Sequence, residues 1–303
     1  MIVVDKLSKS YGEKNVLENI SFHISEGECV GLIGLNGAGK TTLINILLGK
    51  LKASSGLVRV LQQDSAALNR EALRKIGYVS GTGTQLWKNM RLRYSFESCA
   101  AMHNISDRDY KIRLSKLCSA LQISELLSSE PHRLSMGQRM RCELAYALLP
   151  HPKLLILDEA TIGIDIAAKN FILQCIDNMR RQNHMTVIYA GHYLKEVEQL
   201  CERIIVLDHR AILFDGNLHK FVDEYGSFCT LKLKCDALPD LEDLPVEEFC
   251  IADQNIVIEF NKRKIGTAEI IRHIRQKCEI RDIKLIEPNL EDTIKKIYAR
   301  EAD

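Results

Sequence analysis

The sequence predicts an α/β fold, with a parallel-sheet core, an antiparallel β subdomain, a helical subdomain and a small C-terminal α+β domain. Two observations predict the parallel core. An apolar strand over 28–33 runs into a glycine-rich turn and then a helix, and the apolar run 154–157 ends in two acids. A short continuous apolar run is typical of a strand buried on both faces of a sheet. A change to alternating strands and an acidic stretch after residue 226 predicts the second domain.

The glycine-rich turn matches a phosphate-binding loop at every required position. Glycines let backbone N–H groups converge on a phosphate chain, and the N-terminus of the following helix favours an anion. We therefore expect Lys40 to reach the terminal phosphates of a nucleotide and the Thr41 hydroxyl to be a ligand of Mg²⁺. The predicted phosphate-binding residues are Gly34, Leu35, Asn36, Gly37, Ala38, Gly39, Lys40, Thr41 and Thr42.

Asp158 and Glu159 stand where the apolar strand 154–157 ends. Ligands of open α/β sheets collect at the carboxyl ends of the strands, so we expect both acids beside the phosphate loop, at the tip of a neighbouring strand. Asp158 is the predicted second ligand of Mg²⁺, directly or through water. Glu159 is the predicted general base that activates the attacking water. Together the two motifs predict an enzyme that binds and hydrolyses ATP.

A third motif, Leu134-Ser135-Met136-Gly137-Gln138, runs into a helix predicted over 139–149. It resembles the signature motif of ATP-binding cassette (ABC) proteins, and the resemblance extends over roughly the first 220 residues. It implies that Ser135 and Gly137, with Gln138 beside them, complete the ATP site of a second cassette. Donors at a helix N-terminus suit such a dense anion. Met136 replaces the middle glycine that is usual in the family.

The resemblance implies roles for three more positions. Tyr11 stands where the family has the aromatic residue that stacks on adenine, although an ordinary surface tyrosine is the alternative. Asp165, in Gly163-Ile164-Asp165, matches the loop that presses against the partner cassette. His192, after the apolar strand 186–190, matches the switch histidine that contacts the γ-phosphate.

One family position is not settled by the sequence. The family usually has a Gln directly after a strand, in a loop that senses both Mg²⁺ and the membrane partner. Here the strand 75–79 leads into a loop whose only Gln is Gln85, late in the segment, and Thr82 is the alternative. We favour Gln85, as a catalytic residue and a Mg²⁺ ligand, because its amide oxygen has the longer reach.

Length and composition limit the possible functions. The 303 residues fit two domains, and 46% hydrophobic residues provide a sizeable core. A formal net charge of +1 gives no support for nucleic-acid binding. No apolar run approaches the roughly 20 residues that cross a bilayer, and the N-terminus does not resemble a signal peptide. We therefore expect a protein of the cytosol that reaches the cytoplasmic face of the membrane only through a permease.

The domain prediction is an ABC ATPase domain over 1–225, with a helical subdomain over about 91–150, and an accessory α+β domain over 228–303. In the family the helical subdomain meets the membrane subunit. Leu86, Trp87 and Tyr94 are candidates for that contact, with ordinary packing under the helices as the alternative. The segment 287–292 is similar to the C-terminal extension of exporter-type subunits.

The resemblance implies an ATP-hydrolysing subunit, with ATP and Mg²⁺ as cofactors, that powers a separate transmembrane permease, and the extension favours export. An importer subunit and a soluble ABC ATPase without a transport role are the alternatives. A second cassette subunit is the other expected partner; a homodimer is the simpler arrangement and a heterodimer is open. A ribosome-acting type would resemble two cassettes in one chain, and a chromosome-maintenance type needs a long coiled coil between Lys40 and Ser135.

Overall fold

A computed structural model describes residues 1–191, 193–225, 228–236, 244–246, 248–252 and 255–286. The chain divides into two compact units, Met1–Gly216 and Asn217–Asp303. The strands of the first unit are β1 (Ile2–Tyr11), β2 (Lys14–Ile24), β3 (Cys29–Gly34), β4 (Ser55–Val60), β5 (Gln63–Asp64), β6 (Ile76–Ser80), β7 (Leu154–Asp158), β8 (Thr186–Gly191), β9 (Arg203–Asp208) and β10 (Ala211–Asn217). Its helices are α1 (Lys40–Leu47), α2 (Arg70–Leu73), α3 (Leu92–Met102), α4 (Asp107–Leu121), α5 (Met136–Leu148), α6 (Ile166–Asn183) and α7 (Leu194–Leu200), with 3₁₀ turns at Ser65–Ala67, Ser124–Ser128 and Pro131–Arg133.

A six-stranded sheet forms the centre of the first unit, in the order β10-β9-β3-β8-β7-β6. The pairings β9 with β3, β3 with β8, β8 with β7 and β7 with β6 are parallel, so the predicted α/β core is confirmed. All the residues of β3, β7 and β8 are buried, as expected for strands covered on both faces.

The prediction that the two acids lie on the strand next to the phosphate loop is wrong. β8 lies between β3 and β7, because the chain crosses through α6 and then pairs β8 with both of them. The tips of β3 and β7 still end at the same edge of the sheet, since all three strands are parallel. Side chains at the ends of β3 and β7 can therefore approach each other across the end of β8.

An antiparallel sheet in the order β2-β1-β4-β5 forms the predicted β subdomain. Alternate residues of β1 and β2 point inward, and Leu7 and Leu17 are both fully buried. These inward side chains share one hydrophobic core with α1 and with the parallel strands β3, β7, β8 and β9. The shared core fixes α1, which follows the glycine-rich turn, between the two sheets.

The region after β6 is helical, as predicted. α3 and α4 precede α5, and they bury Leu92, Phe96 and Leu121. Of the three candidates for a partner contact, Leu86 is buried, whereas Trp87 and Tyr94 are 46% and 37% exposed. Leu86 therefore belongs to the packing under the helices.

The second unit is a small α+β body whose elements are α8 (Leu218–Tyr225), β11 (Phe228–Cys235), β12 (Glu248–Ala252), β13 (Asn255–Asn261), α9 (Thr267–Arg275) and β14 (Ile280–Ile286). Its four-stranded antiparallel sheet has the order β12-β13-β11-β14. α9 places Ile270 and Ile274, one helical turn apart, on the apolar face of β11 and β13. The segment 287–292 and most of the acidic stretch after residue 226 lie outside the described residues.

Candidate active site

The turn between β3 and α1 has the backbone of a phosphate-binding loop. Gly37 and Gly39 both have positive φ, at 85° and 102°. A side chain on Gly39 would bring its Cβ to 2.7 Å from Leu17 and 3.1 Å from the carbonyl oxygen of Val16, so the loop can pass there only as glycine. α1 begins at Lys40 without a side-chain cap, which leaves its first N–H groups directed toward the loop.

Lys40 is 5% exposed, and carbonyl groups of the loop itself hold its ammonium. Nζ donates to the oxygens of Gly34 at 2.8 Å and Leu35 at 3.1 Å. It also lies 4.0 Å from Oε1 of Glu159. Burial lowers the pKa of Lys40, and the negative charges of Glu159 and Asp158 act in the opposite direction. The structure thus brings together three of the residues that the sequence singles out.

Asp158, the last residue of β7, is 5% exposed. The hydroxyl of Tyr78 donates to Oδ2 at 3.4 Å, and the buried Oδ1 has no hydrogen-bond partner among the described residues. Burial and the charge of Glu159 raise the pKa of Asp158, while Lys40 and the hydroxyls of Tyr78 and Thr41 act to lower it. A buried carboxylate oxygen without a partner beside the Thr41 hydroxyl suits a hard cation that prefers oxygen ligands.

Glu159 follows directly and turns the chain away from the sheet. Its φ is 53°, in the left-handed region that a side chain disfavours, and its N–H donates to the carbonyl of Ala190 at 2.9 Å. Gly81 fits against this turn, because a Cβ there would lie 2.1 Å from the carbonyl oxygen of Glu159. The Glu159 carboxylate is a quarter exposed, so water can reach it.

The signature motif forms a capping box at the start of α5. Oγ of Ser135 accepts from the N–H of Gln138 at 3.3 Å, and Oε1 of Gln138 accepts from the N–H of Ser135 at 3.0 Å. The cap uses a lone pair of the Ser135 oxygen and leaves its hydroxyl hydrogen to donate elsewhere. Gly137 packs against Ala168 and Ile164, near the loop that precedes α6. Sequence reasoning assigned Gln138 to the site, and in the structure its amide oxygen is a capping group.

The other positions that the resemblance implied are spread over the first unit. Asp165 is the N-cap of α6, where Oδ1 accepts from the N–H of Ala168 at 2.9 Å. Tyr11, at the end of β1, is 52% exposed, and the ammonium of Lys9 lies 5.1 Å from its ring centroid. A half-exposed ring at a strand end is accessible for stacking. His192 lies outside the described residues.

The loop after β6 is attached to α5 through a glutamate that sequence reasoning missed. Glu143, 2% exposed, accepts from the hydroxyl of Thr84 and from the N–H of Gln85 at 3.2 Å. The side-chain amide of Gln85 donates to the carbonyl of Tyr78, while Thr82 lies 3.3 Å from the Ser80 hydroxyl. Burial raises the pKa of Glu143, and the hydrogen bonds act against it. A glutamate among apolar residues of a helix was the signal available in the sequence.

A glycine-rich loop that leads from a parallel strand into a helix, with a buried lysine and two carboxylates at the same sheet edge, defines a P-loop nucleoside triphosphatase. A family model described as "ABC transporter" matches residues 17–162. With the relatives below, this match shows that the chain belongs to the ABC transporter family, as an ATP-binding subunit that hydrolyses ATP.

Three curated relatives illustrate the similarity. The linearmycin resistance ATP-binding protein LnrL of Bacillus subtilis is 26% identical over 300 residues, with 96% of each chain covered. The Nod factor export ATP-binding protein I of Rhizobium etli is 28% identical over 301 residues, covering 98% of this chain and 93% of the relative. The methionine import ATP-binding protein MetN of Clostridium tetani is 32% identical over 221 residues, covering 72% and 70%.

Among solved structures, the fold is similar to the ATP-binding cassette MJ0796, determined as a dimer in a post-hydrolysis state with ADP and Pi. The TM-score is 0.64 at 25% identity, covering 72% of this chain and 99% of that one. Among the described residues, no helix is both long enough and apolar enough to span a bilayer.

Proposed function

We propose that this subunit hydrolyses ATP bound with Mg²⁺ at the edge formed by β3 and β7, and that the cycle powers a separate transmembrane permease. The observation that carries the proposal is the convergence of Lys40, Asp158 and Glu159, with one buried oxygen of Asp158 lacking a partner among the described residues. Phosphoryl transfer to water needs a lysine that binds the phosphates, a carboxylate that can bind Mg²⁺ and a second carboxylate that water can reach.

Each residue has a separate task in this proposal. The loop amides and Lys40 bind the phosphates, and Asp158 with the Thr41 hydroxyl would hold Mg²⁺, as would Gln85 or Thr82 from the loop after β6. When bound, the ion would neutralise negative charge on the phosphates of the nucleotide. Glu159 accepts a proton from the attacking water, and His192 orients the reacting groups. Tyr11 provides the surface on which the adenine stacks.

We further propose that two copies of the chain close on two ATP molecules. The Ser135 hydroxyl and the N-terminus of α5 would donate to the γ-phosphate held by the other copy, with Gly137 and Asp165 at the contact between copies. Two observations support this: the hydroxyl hydrogen of Ser135 is not used by its cap, and the relative MJ0796 was solved as a dimer. Closure is favoured because ATP makes contacts in the closed state that hydrolysis removes.

Export is the direction that we propose. The match to the Nod factor export protein of Rhizobium etli covers 98% of this chain and so includes the second unit, whereas the match to the methionine importer covers 72%. Import is the second candidate, because the identity to that importer is the higher of the two, 32% against 28%. Purification of the tagged chain from native membranes, with identification of the permease that accompanies it, decides between them.

The Glu159→Gln variant tests hydrolysis at this site. We expect it to bind ATP as the wild type does, to lose at least 100-fold in turnover and to accumulate as an ATP-bound dimer, because only the proton acceptor is removed. Glu202→Gln, which changes an exposed carboxylate beyond α7, is the matched control and should leave turnover unchanged. Unchanged turnover in Glu159→Gln would exclude Glu159 as the base.

A further inference from the structure

A buried polar cluster lies beyond the phosphate-binding groups, and no motif predicted it. Its members are Thr161 after β7, Lys169 on α6, Tyr189 on β8 and Glu196 on α7. Oε2 of Glu196 accepts from the hydroxyls of Thr161 at 2.6 Å and Tyr189 at 2.5 Å, and Oε1 accepts from the ammonium of Lys169 at 2.5 Å. The two hydroxyl oxygens are 2.8 Å apart. We name these four residues the Glu196 cluster.

The Glu196 cluster contains an ion pair, and both carboxylate oxygens of Glu196 accept hydrogen bonds. Burial acts to raise the pKa of Glu196, but the hydrogen bonds from Lys169, Thr161 and Tyr189 outweigh it, and the net pKa lies below its usual value. Burial raises the pKa of the Tyr189 phenol, which therefore stays protonated and can donate. Thr161, Tyr189 and Glu196 are 3%, 1% and 6% exposed, so water does not compete for these bonds.

The position of the cluster in the chain gives it a role beyond stability. Only residues 192 and 193 connect β8 to α7. Tyr189 lies just before this connection, and Glu196 lies in the first turn of α7 just after it. The ammonium of Lys169 also lies 5.2 Å from the ring centroid of Tyr193. Both ends of the connection are thus attached to one buried carboxylate.

The same carboxylate attaches the connection to the hydrolytic edge of the sheet. Thr161 follows Glu159 by two residues, and the N–H of Glu159 donates to Ala190, the residue after Tyr189. The turn that carries Glu159 is therefore joined to the end of β8 by a backbone hydrogen bond, and to the start of α7 by the side chains of the cluster.

We propose that Tyr189 and Glu196 are positioning residues for ATP hydrolysis, which hold the end of β8 and the start of α7 against the turn that carries Glu159. The inference depends on the proposed function, in which Glu159 and His192 act on the reacting groups. Neither positioning residue needs to touch the nucleotide. A displacement of about 1 Å in a catalytic group can cost about 100-fold in rate, so the loss of one of these hydrogen bonds has a measurable effect.

Tyr189→Phe in the full chain is the first test, because it removes only the hydroxyl. We expect kcat for ATP hydrolysis to fall about tenfold while KM stays within about twofold, since phosphate binding at Lys40 is not touched. Tyr146→Phe, another buried tyrosine, is the matched control and should keep the wild-type kcat. An unchanged kcat in Tyr189→Phe, or a KM that rises as much as kcat falls, would overturn the inference.

A double-mutant cycle with His192→Ala separates positioning from general loosening of the fold. If Tyr189 acts through position 192, then Tyr189→Phe should cost less than about twofold in the His192→Ala background. A full tenfold cost there would contradict the inference alone. Wild-type turnover in His192→Ala would overturn the proposed role of His192, and with it this inference.

Thr161 provides a test that does not depend on the folding of the Tyr189 variant. Thr161→Val removes the donor and should lower kcat about tenfold, whereas Thr161→Ser keeps the hydroxyl and should restore most of the rate. Equal turnover of the serine and valine variants would show that the hydrogen bond to Glu196 does not affect hydrolysis.

Discussion

Two buried glutamates of the first unit, Glu143 and Glu196, attach neighbouring segments by different means. Glu143 joins α5 to the loop after β6 through a hydroxyl and backbone N–H groups, and burial raises its pKa. Glu196 joins α7 to β8 and α6 through two hydroxyls and the ammonium of Lys169, and its net pKa is lowered. The pKa of a buried glutamate is thus raised or lowered depending on whether a cation is bonded to its carboxylate.

The largest expected difference between the two glutamates is in the stability that is lost when each carboxylate is removed. Glu196→Ala leaves the Lys169 ammonium, 20% exposed, without its partner, so we expect a loss of about 3 kcal/mol in the free energy of unfolding at pH 7. Glu143→Ala leaves only neutral donors unpaired and should cost about 1–2 kcal/mol. Urea unfolding measures both, with Glu202→Ala as the exposed control. Equal losses for the two variants would remove the distinction.

The hydroxyl groups of Thr161 and Thr84, which donate to Glu196 and Glu143, allow single hydrogen bonds to be compared. Thr161→Val removes a hydrogen bond to an ionised carboxylate and should cost about 2 kcal/mol, since bonds to charged groups are the stronger ones. Thr84→Val removes the corresponding bond to Glu143 and should cost about 1 kcal/mol. The two substitutions delete the same atoms, so the ratio of their effects reports how strongly each carboxyl group holds its hydroxyl donor. A reversed order would mean that Glu143 holds its donor more strongly than Glu196 does.

The smallest expected effect is a difference in pH dependence. A raised pKa means that the folded state binds the Glu143 proton more tightly than the unfolded state. Its contribution to stability is therefore complete below the unfolded value near 4.5 and is lost as the pH rises through the folded pKa. Relative to wild type, Glu143→Gln should therefore gain stability as the pH rises above about 4.5.

Glu196 should show the opposite sign. Because its pKa is lowered in the folded state, its contribution is present above about pH 4.5 and is lost as the pH falls through the folded value. Unfolding curves of wild type and Glu196→Gln should therefore converge under acid conditions, whereas those of wild type and Glu143→Gln separate as the pH rises. Parallel curves for both pairs would contradict the opposite directions of the two pKa shifts.

Much of the fold and of the active site could be predicted because the signals are local. The glycine-rich turn needs positive φ within a few residues, and the run 154–157 carries its own burial pattern. The order of the parallel strands could not be predicted in this way. The insertion of β8 between β3 and β7 depends on pairing between segments far apart in the chain, and periodicity does not encode it.

The contacts that sequence reasoning missed join side chains that are distant in sequence. Tyr78 and Asp158 are 80 residues apart, Thr84 and Glu143 are 59 apart, and Thr161 and Glu196 are 35 apart. Each polar residue alone is compatible with an ordinary exposed position. Only the packing of α5, α6 and α7 against the strand ends shows that these groups are buried and bonded.

At residue 159, catalytic activity and thermal stability have opposing requirements. A glutamate at a φ of 53° costs on the order of 1 kcal/mol that glycine would not, so Glu159→Gly should relieve that penalty while deleting the carboxylate. A laboratory selection for heat-tolerant variants of this protein would therefore favour Glu159→Gly, which is expected to lack ATPase activity. Directed evolution toward thermostability should keep residue 159 fixed and draw its gains from elsewhere in the chain.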